Sequence, residues 1–255
     1  MTLSDWTRDT PAPGLVVPQP RKGFRYGSEA FWLVGLATEH GVPATALDLG
    51  TGSGIMALLL ARLGANVEAV DVRPEWRAGW DAAIAESALK GGVDFRTADV
   101  RDVAVGPPVD CVVSNPPFFA AGTGPTPEDG WRSAARFEST ATVGAFVGVA
   151  CGRLSPVGSA WFVVPVEREG DLLAAVPTGF FAARVVRVGG RRVIVELRTS
   201  GRKVTAYLED PSQRVLLFAA GAVAASSDPA RTSALMSMSV FSGVALVATV
   251  TIAMR

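Results

Sequence analysis

The sequence predicts an α/β protein built on a largely parallel sheet, with helices on both faces and one late antiparallel hairpin. Three observations carry that expectation. From Ala44 onward strand-like and helix-like segments alternate; the first of those strands runs into three glycines followed at once by a helix; and the last two strands are joined through Gly189 and Gly190. Strands separated by helical stretches form βαβ units, whose strands lie parallel and are covered on both sides. A Gly-Gly pair between two apolar runs is instead a hairpin connection.

Taken in order, residues 1–27 read as an extended N-terminal arm, because Pro11, Pro13, Pro18 and Pro20 break any periodicity. Residues 28–210 hold the folded domain. "SEAFWLVGLATEH" (28–40) reads as a helix with Ser28 as N-cap and Gly41 and Pro43 as its stop. His40, the single histidine, falls in the last turn, where it suits the helix dipole and carries no chemistry. The strand "ATALDLG" and the helix "IMALLLARLG" follow, then the strand "NVEAVDV", the helix "PEWRAGWDAAIAESALKGG", and the strands "VDFRTADV" and "VDCVVSN". A helix over 139–154, the strand "GSAWFVVPV", a short helix and the strands "ARVVRV" and "RRVIVELRTSG" complete the domain. Residues 211–255 form an apolar tail. Its stretch from Ala234 to Met254 has 21 uncharged residues, the length of a membrane-spanning helix of about 20. The β-branched, partly alternating "VALVATVTIA" favours a packed strand or a loosely ordered tail over a membrane anchor.

Composition excludes several classes. With 49% apolar and 19% charged residues in 255, the chain is no disordered polyelectrolyte and is long enough for one large domain. Lys and Arg number 24 against 24 Asp and Glu, so no overall basic field recruits nucleic acid and any such contact rests on local patches. Cys111 and Cys151 lack metal-ligand spacing and read as buried, reduced thiols, with no metal expected. The N-terminus lacks a basic segment followed by an apolar one, so a cytoplasmic location is expected.

The chemistry is concentrated at strand ends, where open α/β sheets bind their ligands. In "LDLGTGSG" (47–54), Gly50, Gly52 and Gly54 permit a tight turn and a close ligand approach, and the following helix presents free N–H groups. Asp71, 21 residues beyond Gly50, ends the next strand, where a carboxylate can accept from both ribose hydroxyls of an adenosine group. The G-x-G-x-G spacing, together with Asp99 at the end of the third strand as an acceptor for an adenine amino group, favours S-adenosylmethionine over a nicotinamide dinucleotide.

The fourth strand then runs into "SNPPFF" (114–119). An amino group conjugated to an aromatic ring is a poor nucleophile and needs acceptors for its N–H hydrogens. The Asn115 Oδ1 and the Pro116 carbonyl supply two, held rigid by the prolines. Phe118 can stack on a flat substrate and fix the nitrogen in line with the methyl group.

These motifs identify the chain as similar to the class I S-adenosylmethionine-dependent methyltransferases with an Asn-Pro-Pro-Phe motif. "QPRKGFRYGSEAFWL" (19–33) and "NPPFFAAGTG" (115–124) resemble, more narrowly, the bacterial tRNA(Val) adenine-N6 methyltransferase family. The resemblance covers residues 19–201. It implies a Rossmann-like, mostly parallel seven-stranded sheet and S-adenosylmethionine as cofactor. It also implies methylation of the exocyclic N6 of an adenine in RNA, with a tRNA as the substrate partner. Tyr26 would lie near the methionine end of the cofactor, with "FRYG" and Glu29 closing the pocket. Gly50, Gly52, Gly54, Asp71, Asp99 and Asn115 would hold the rest. Asn115, Pro116 and Phe118 would be catalytic; Pro117, Phe119, Arg25, Trp131 and Arg136 would contact substrate. Phe137 stands where relatives often carry His, and the tail beyond Asp210 has no counterpart.

An adenosine in a folded loop must be splayed out and its phosphates anchored. Arg21, Lys22 and Arg25, then Arg132 and Arg136, then Arg191, Arg192, Arg202 and Lys203 are the candidates for a local basic rim. Two other readings stand beside this one. The first is the same chemistry on a protein glutamine or a small amine, against which Phe118 counts because the glutamine-modifying relatives usually carry Tyr there. The second is a non-catalytic, membrane-tethered interaction protein.

Overall fold

A computed structural model describes residues 6–21, 25–117 and 141–199, and the backbone of 204–208. The main sheet contains β3 (Thr45–Leu49), β4 (Asn66–Asp71), β5 (Val93–Thr97), β6 (Val109–Ser114), β7 (Leu154–Pro165), β8 (Phe181–Val188), β9 (Arg192–Arg198) and β10 (Val204–Leu208). Their order is β10-β8-β9-β7-β6-β3-β4-β5. β3 through β7 run parallel, and β9 pairs antiparallel with both β7 and β8. Seven of these strands make the expected sheet with its late hairpin; β10 adds an eighth at the edge, parallel to β8. Gly189 and Gly190, with Arg191, connect Val188 to Arg192 in that hairpin, and the two glycines take the left-handed φ of +55° and +68° that a tight hairpin connection uses.

Alternation along the strands sorts the core onto two faces. Ala46, Val113, Val163 and Ile194 point to one, Leu47, Val112, Phe162 and Val193 to the other. The first face is covered by α1 (Glu29–Ala37), α2 (Ile55–Leu63) and α3 (Arg77–Glu86); the second by α4 (Val143–Arg153) and α5 (Glu169–Ala174). Residues 55–61 of α2 are all buried, so this helix is apolar all round and not a one-sided surface helix. Burying each such leucine contributes about 1.5–3 kcal/mol.

The N-terminal segment is extended but folded back on itself: β1 (Trp6–Ala12) and β2 (Leu15–Pro20) form an antiparallel hairpin. Trp6, Leu15 and Val17 sink into the first core. The Ser87 hydroxyl both receives the Val16 amide (3.0 Å) and donates to the Val16 carbonyl (3.2 Å), and the Ala88 amide donates to the Gly14 carbonyl (2.7 Å). α1 begins after Ser28, whose side chain makes no cap bond, and stops at Ala37; His40 lies beyond it, 3.2 Å from Glu39. Cys111 and Cys151 are buried free thiols, as read, and burial pushes them up to about 12 and about 11. Among the described residues no helix is long and apolar enough to cross a membrane; the tail, 211–255, lies outside them.

Candidate active site

β3 ends at Leu49 and the chain turns through Gly50, Gly52 and Gly54, all at positive φ, before α2 begins. The turn is pinned from the neighbouring strand: the amides of Gly50 and Thr51 both donate to the Val70 carbonyl at 2.9 Å. Two of the glycines are demanded by space as well. A Cβ on Gly54 would lie 2.6 Å from the Phe95 ring, and one on Gly50 3.1 Å from Phe146. Trp80 supports the turn from beneath, stacking on Phe95 (centroids 4.8 Å, 6°) and donating its indole N–H to the Gly52 carbonyl at 2.8 Å.

Two carboxylates frame this turn. Asp71, at the end of β4, accepts the Gly52 amide on Oδ2 (2.9 Å) and the Arg73 amide on Oδ1 (3.0 Å). Each oxygen keeps a lone pair for another donor. Burial raises its pKa, against the opposing pull of those two amides and of the Arg73 charge. Asp48, within β3, is fully buried; its Oδ2 accepts the Thr51 hydroxyl (2.6 Å) and the Ala57 amide (3.1 Å). Its Oδ1 has no hydrogen-bond partner among the described residues. Burial pushes this carboxyl up to about 7. Sequence reasoning passed over Asp48 as part of an apolar strand, although a carboxylate inside "ALDLG" was itself the signal.

The turn opens onto a cleft of about 680 Å³, including space open to solvent. Of the expected residues, Gly50, Gly52, Asp71, Asn115 and Pro117 line it; Val72, Arg73, Trp76, Val100 and Phe146 line it too and were not anticipated. Asp99 is adjacent but turned aside. It caps the 3-10 turn at Val100–Val103, accepting the Arg101 amide (2.9 Å) and the Arg101 guanidinium (2.8 and 2.7 Å), while Ala98 and Val100 on either side face the cleft. That guanidinium holds the Asp99 carboxyl below its usual range.

Asn115 and Pro116–Pro117 follow β6 directly. Ser114 secures the strand end by donating its hydroxyl to the Leu49 carbonyl at 2.8 Å. The Asn115 Oδ1 is buried and has no hydrogen-bond partner among the described residues. A buried acceptor left unmatched costs roughly 1–3 kcal/mol, and this one lines the cleft, where a ligand's donor could meet it. Phe118, Phe119, Trp131 and Arg136 lie outside the described residues.

Tyr26 and Arg25 stand apart from the cleft lining. The Tyr26 amide donates to Gln19 Oε1 (2.9 Å), its ring meets Phe31 edge-on at 6.0 Å, and burial, then Asp9, push its hydroxyl up to about 12. Arg25 grips Asp9 through two bonds (3.1 and 2.9 Å) and also donates to Thr7. Glu29 pairs with Arg192 at 3.2 Å. Two members of the anticipated basic rim, Arg25 and Arg192, are thus already held by carboxylates.

Comparison with known proteins agrees with this arrangement. Residues 26–170 match the family model of the methyltransferase small domain. The tRNA1(Val) (adenine(37)-N6)-methyltransferase of Tolumonas auensis is 30% identical over 181 residues, covering 69% of this chain and 74% of that protein. The enzyme of the same name from Porphyromonas gingivalis is 29% identical over 166 residues, covering 61% and 64%. A methyltransferase structure from Pyrococcus furiosus superposes with a TM-score of 0.54 at 18% identity, over 74% of this chain and 90% of that one; at that identity it speaks for the fold alone.

Proposed function

The chain belongs to the methyltransferase small domain family, and from that membership we propose that it transfers a methyl group from S-adenosylmethionine to the exocyclic N6 of an adenine in RNA, with a tRNA as substrate. The observation that carries this reading is the Asn115 Oδ1, a buried acceptor without a partner among the described residues, at the mouth of the cleft that Asp71 and the glycine turn share. The relatives whose names specify an adenine-N6 reaction on tRNA supply the substrate class.

The residues present fit the cofactor. Gly50 and Gly52 line the cleft in left-handed backbone, so no side chain stands between the turn and a ligand, while Gly54 lets the same turn pack against Phe95. Asp71 retains acceptor capacity for vicinal hydroxyls, and its amide partners keep the carboxylate oriented. Ala98 and Val100 face the cleft where the adenine would lie; Asp99 would serve that end only by releasing the Arg101 fork that now holds its carboxylate. Tyr26 would reach the methionine end from the segment before α1. When bound, S-adenosylmethionine supplies an electrophilic methyl group carried on sulfur.

The chain's own task is to make a weak nucleophile strong enough and to aim it. The Asn115 Oδ1 and the Pro116 carbonyl accept the two N–H hydrogens of the target amine, which shifts electron density back to nitrogen as the methyl approaches. An amide oxygen is too weak a base to take the proton away, so Asn115 orients and polarises and the proton leaves to solvent afterwards. Pro116 and Pro117 fix φ and offer no competing N–H. Phe118 would stack on the base and hold it in line, with Pro117, Phe119, Trp131 and Arg136 as further substrate contacts; Arg25 would join them only by releasing the Asp9 carboxylate that holds it apart from the cleft.

The deciding experiment is transfer of labelled methyl from S-adenosylmethionine to total RNA from cells lacking this protein, followed by nucleoside analysis. Labelled N6-methyladenosine in the tRNA fraction is the expected product. Label absent from RNA while cofactor binding is intact would overturn the substrate assignment.

A further inference from the structure

The N-terminal hairpin packs against a wall of the cleft. Trp76, which lines the cleft and is 1% exposed, sits at the end of a 3-10 turn, Pro74–Trp76, that begins three residues after Asp71. No side chain caps that turn; its backbone closes through the Arg77 amide on the Pro74 carbonyl and the Trp76 amide on the Arg73 carbonyl at 3.4 Å. Trp6, from β1, meets Trp76 edge-on with centroids 5.7 Å apart at 63°. The other side of the Trp6 ring rests on Gly79 in the first turn of α3, where a Cβ would stand 2.8 Å from Cζ3 and 3.0 Å from Cη2. The Trp6 indole N–H is buried without a hydrogen-bond partner among the described residues.

The hairpin that carries Trp6 is fastened at both of its ends. Near its turn it is bonded to the end of α3 through Val16–Ser87 and Gly14–Ala88, and Arg8 pairs with Glu86 at 2.8 Å. At its close, Gln19 and Asp9 hold the backbone of Tyr26 and the side chain of Arg25. The hairpin therefore ties the Asp71 side of the cleft to the segment that enters α1.

We infer that Trp6 is a positioning residue for cofactor binding, acting through Trp76: the hairpin braces the turn that follows Asp71 so that this wall of the cleft is set before the ligand arrives. Preorganising a wall lowers the cost of ordering it on binding. The inference rests on the reading of this cleft as the S-adenosylmethionine site.

The test is calorimetric titration of the full chain with S-adenosylmethionine, for wild type, Trp6→Ala, Trp6→Phe and Gly79→Ala, with Leu15→Ala as a hairpin variant remote from the aromatic pair in sequence. Loss of one edge-to-face aromatic contact corresponds to a weakening of about two- to tenfold. Trp6→Ala should raise Kd by that factor at unchanged stoichiometry, and Trp6→Phe should recover most of it. Gly79→Ala should also raise Kd, since its methyl displaces the Trp6 ring, although alanine favours the helix. Leu15→Ala should lower Tm and leave Kd alone. A Trp6→Ala protein that binds as wild type does while melting lower would overturn the inference and leave Trp6 a core residue only. If Trp6→Ala does not fold, Gly79→Ala decides alone: an unchanged Kd overturns the inference and a raised Kd supports it. Wild type that fails to bind S-adenosylmethionine would overturn the cofactor assignment itself, and this inference with it.

Discussion

Thr51 donates its hydroxyl at 2.6 Å to an Asp48 carboxylate sealed from solvent, and the same oxygen receives the Ala57 amide. One carboxylate thereby joins the glycine turn to the first turn of α2. Its burial also gives it a measurable signature.

Burial pushes Asp48 from its ordinary value of 3.8 up to about 7. The folded chain then holds this proton more tightly than the unfolded chain does. The stabilising contribution is complete below about pH 4 and is lost as pH rises toward 7, levelling off above it. Glu68, Glu86 and Asp99 have lowered values and act below this window; Asp71 is raised and acts in the same sense as Asp48. Urea unfolding of wild type between pH 5 and 8 should therefore lose about 2–3 kcal/mol relative to Asp48→Asn across the same range. Parallel pH profiles for the two proteins would show that Asp48 does not titrate there.

Gly54 offers a test of the turn itself. With φ at +83° and a Cβ position 2.6 Å from Phe95, Gly54→Ala must strain the backbone and also shift the Phe95 ring that Trp80 stacks on. A loss of about 2–4 kcal/mol is expected, read as a drop in Tm or urea midpoint. Gly148 in α4 has no atom within 4 Å of its Cβ position, so Gly148→Ala is the matched control and should be neutral or mildly stabilising.

Much of this site was legible because its signals are local. A left-handed turn needs glycine, so Gly50, Gly52 and Gly54 announce themselves, and Asp71 and Asn115 follow from strand ends that periodicity marks. What escaped depends on pairing across the chain. Trp76 and Phe146 line the cleft only because a 3-10 turn and α4 are brought to the same strand ends. The four prolines of the N-terminal segment concealed β1 and β2, since a two-stranded ribbon needs few ladder bonds and its register, Trp6 with Pro20, leaves room for them. Asp99 stands at the expected strand end, yet Arg101, two residues on, claims its carboxylate. That fork is a local contact between neighbouring side chains, and strand and helix patterns do not report it.

Asp71 should govern cofactor affinity. Asp71→Asn keeps an acceptor but removes the charge, and it places an amide donor against the Gly52 or Arg73 N–H. Hydrogen bonds to a charged group contribute about 1.5–3 kcal/mol, so S-adenosylmethionine should bind roughly ten- to a hundredfold more weakly, with turnover at saturation changed far less. A fall in kcat with Kd intact would instead place Asp71 in the chemical step.

Asn115 should show the opposite split. Its Oδ1 is buried and unmatched among the described residues, so Asn115→Ala breaks no bond from that oxygen to them, and stability should change little. S-adenosylmethionine affinity should stay within a few-fold, because Asp71 and the glycine turn are untouched. Turnover should fall by about a hundredfold or more, the usual consequence of removing an acceptor or donor aimed at charge that develops only as the reaction proceeds. Asn115→Asp keeps the acceptor and adds a charge that burial opposes, so its rate should recover in part as pH rises and the carboxylate ionises. Single-turnover methyl transfer under saturating cofactor separates these variants cleanly. Wild-type turnover in Asn115→Ala would remove the amide from the mechanism altogether.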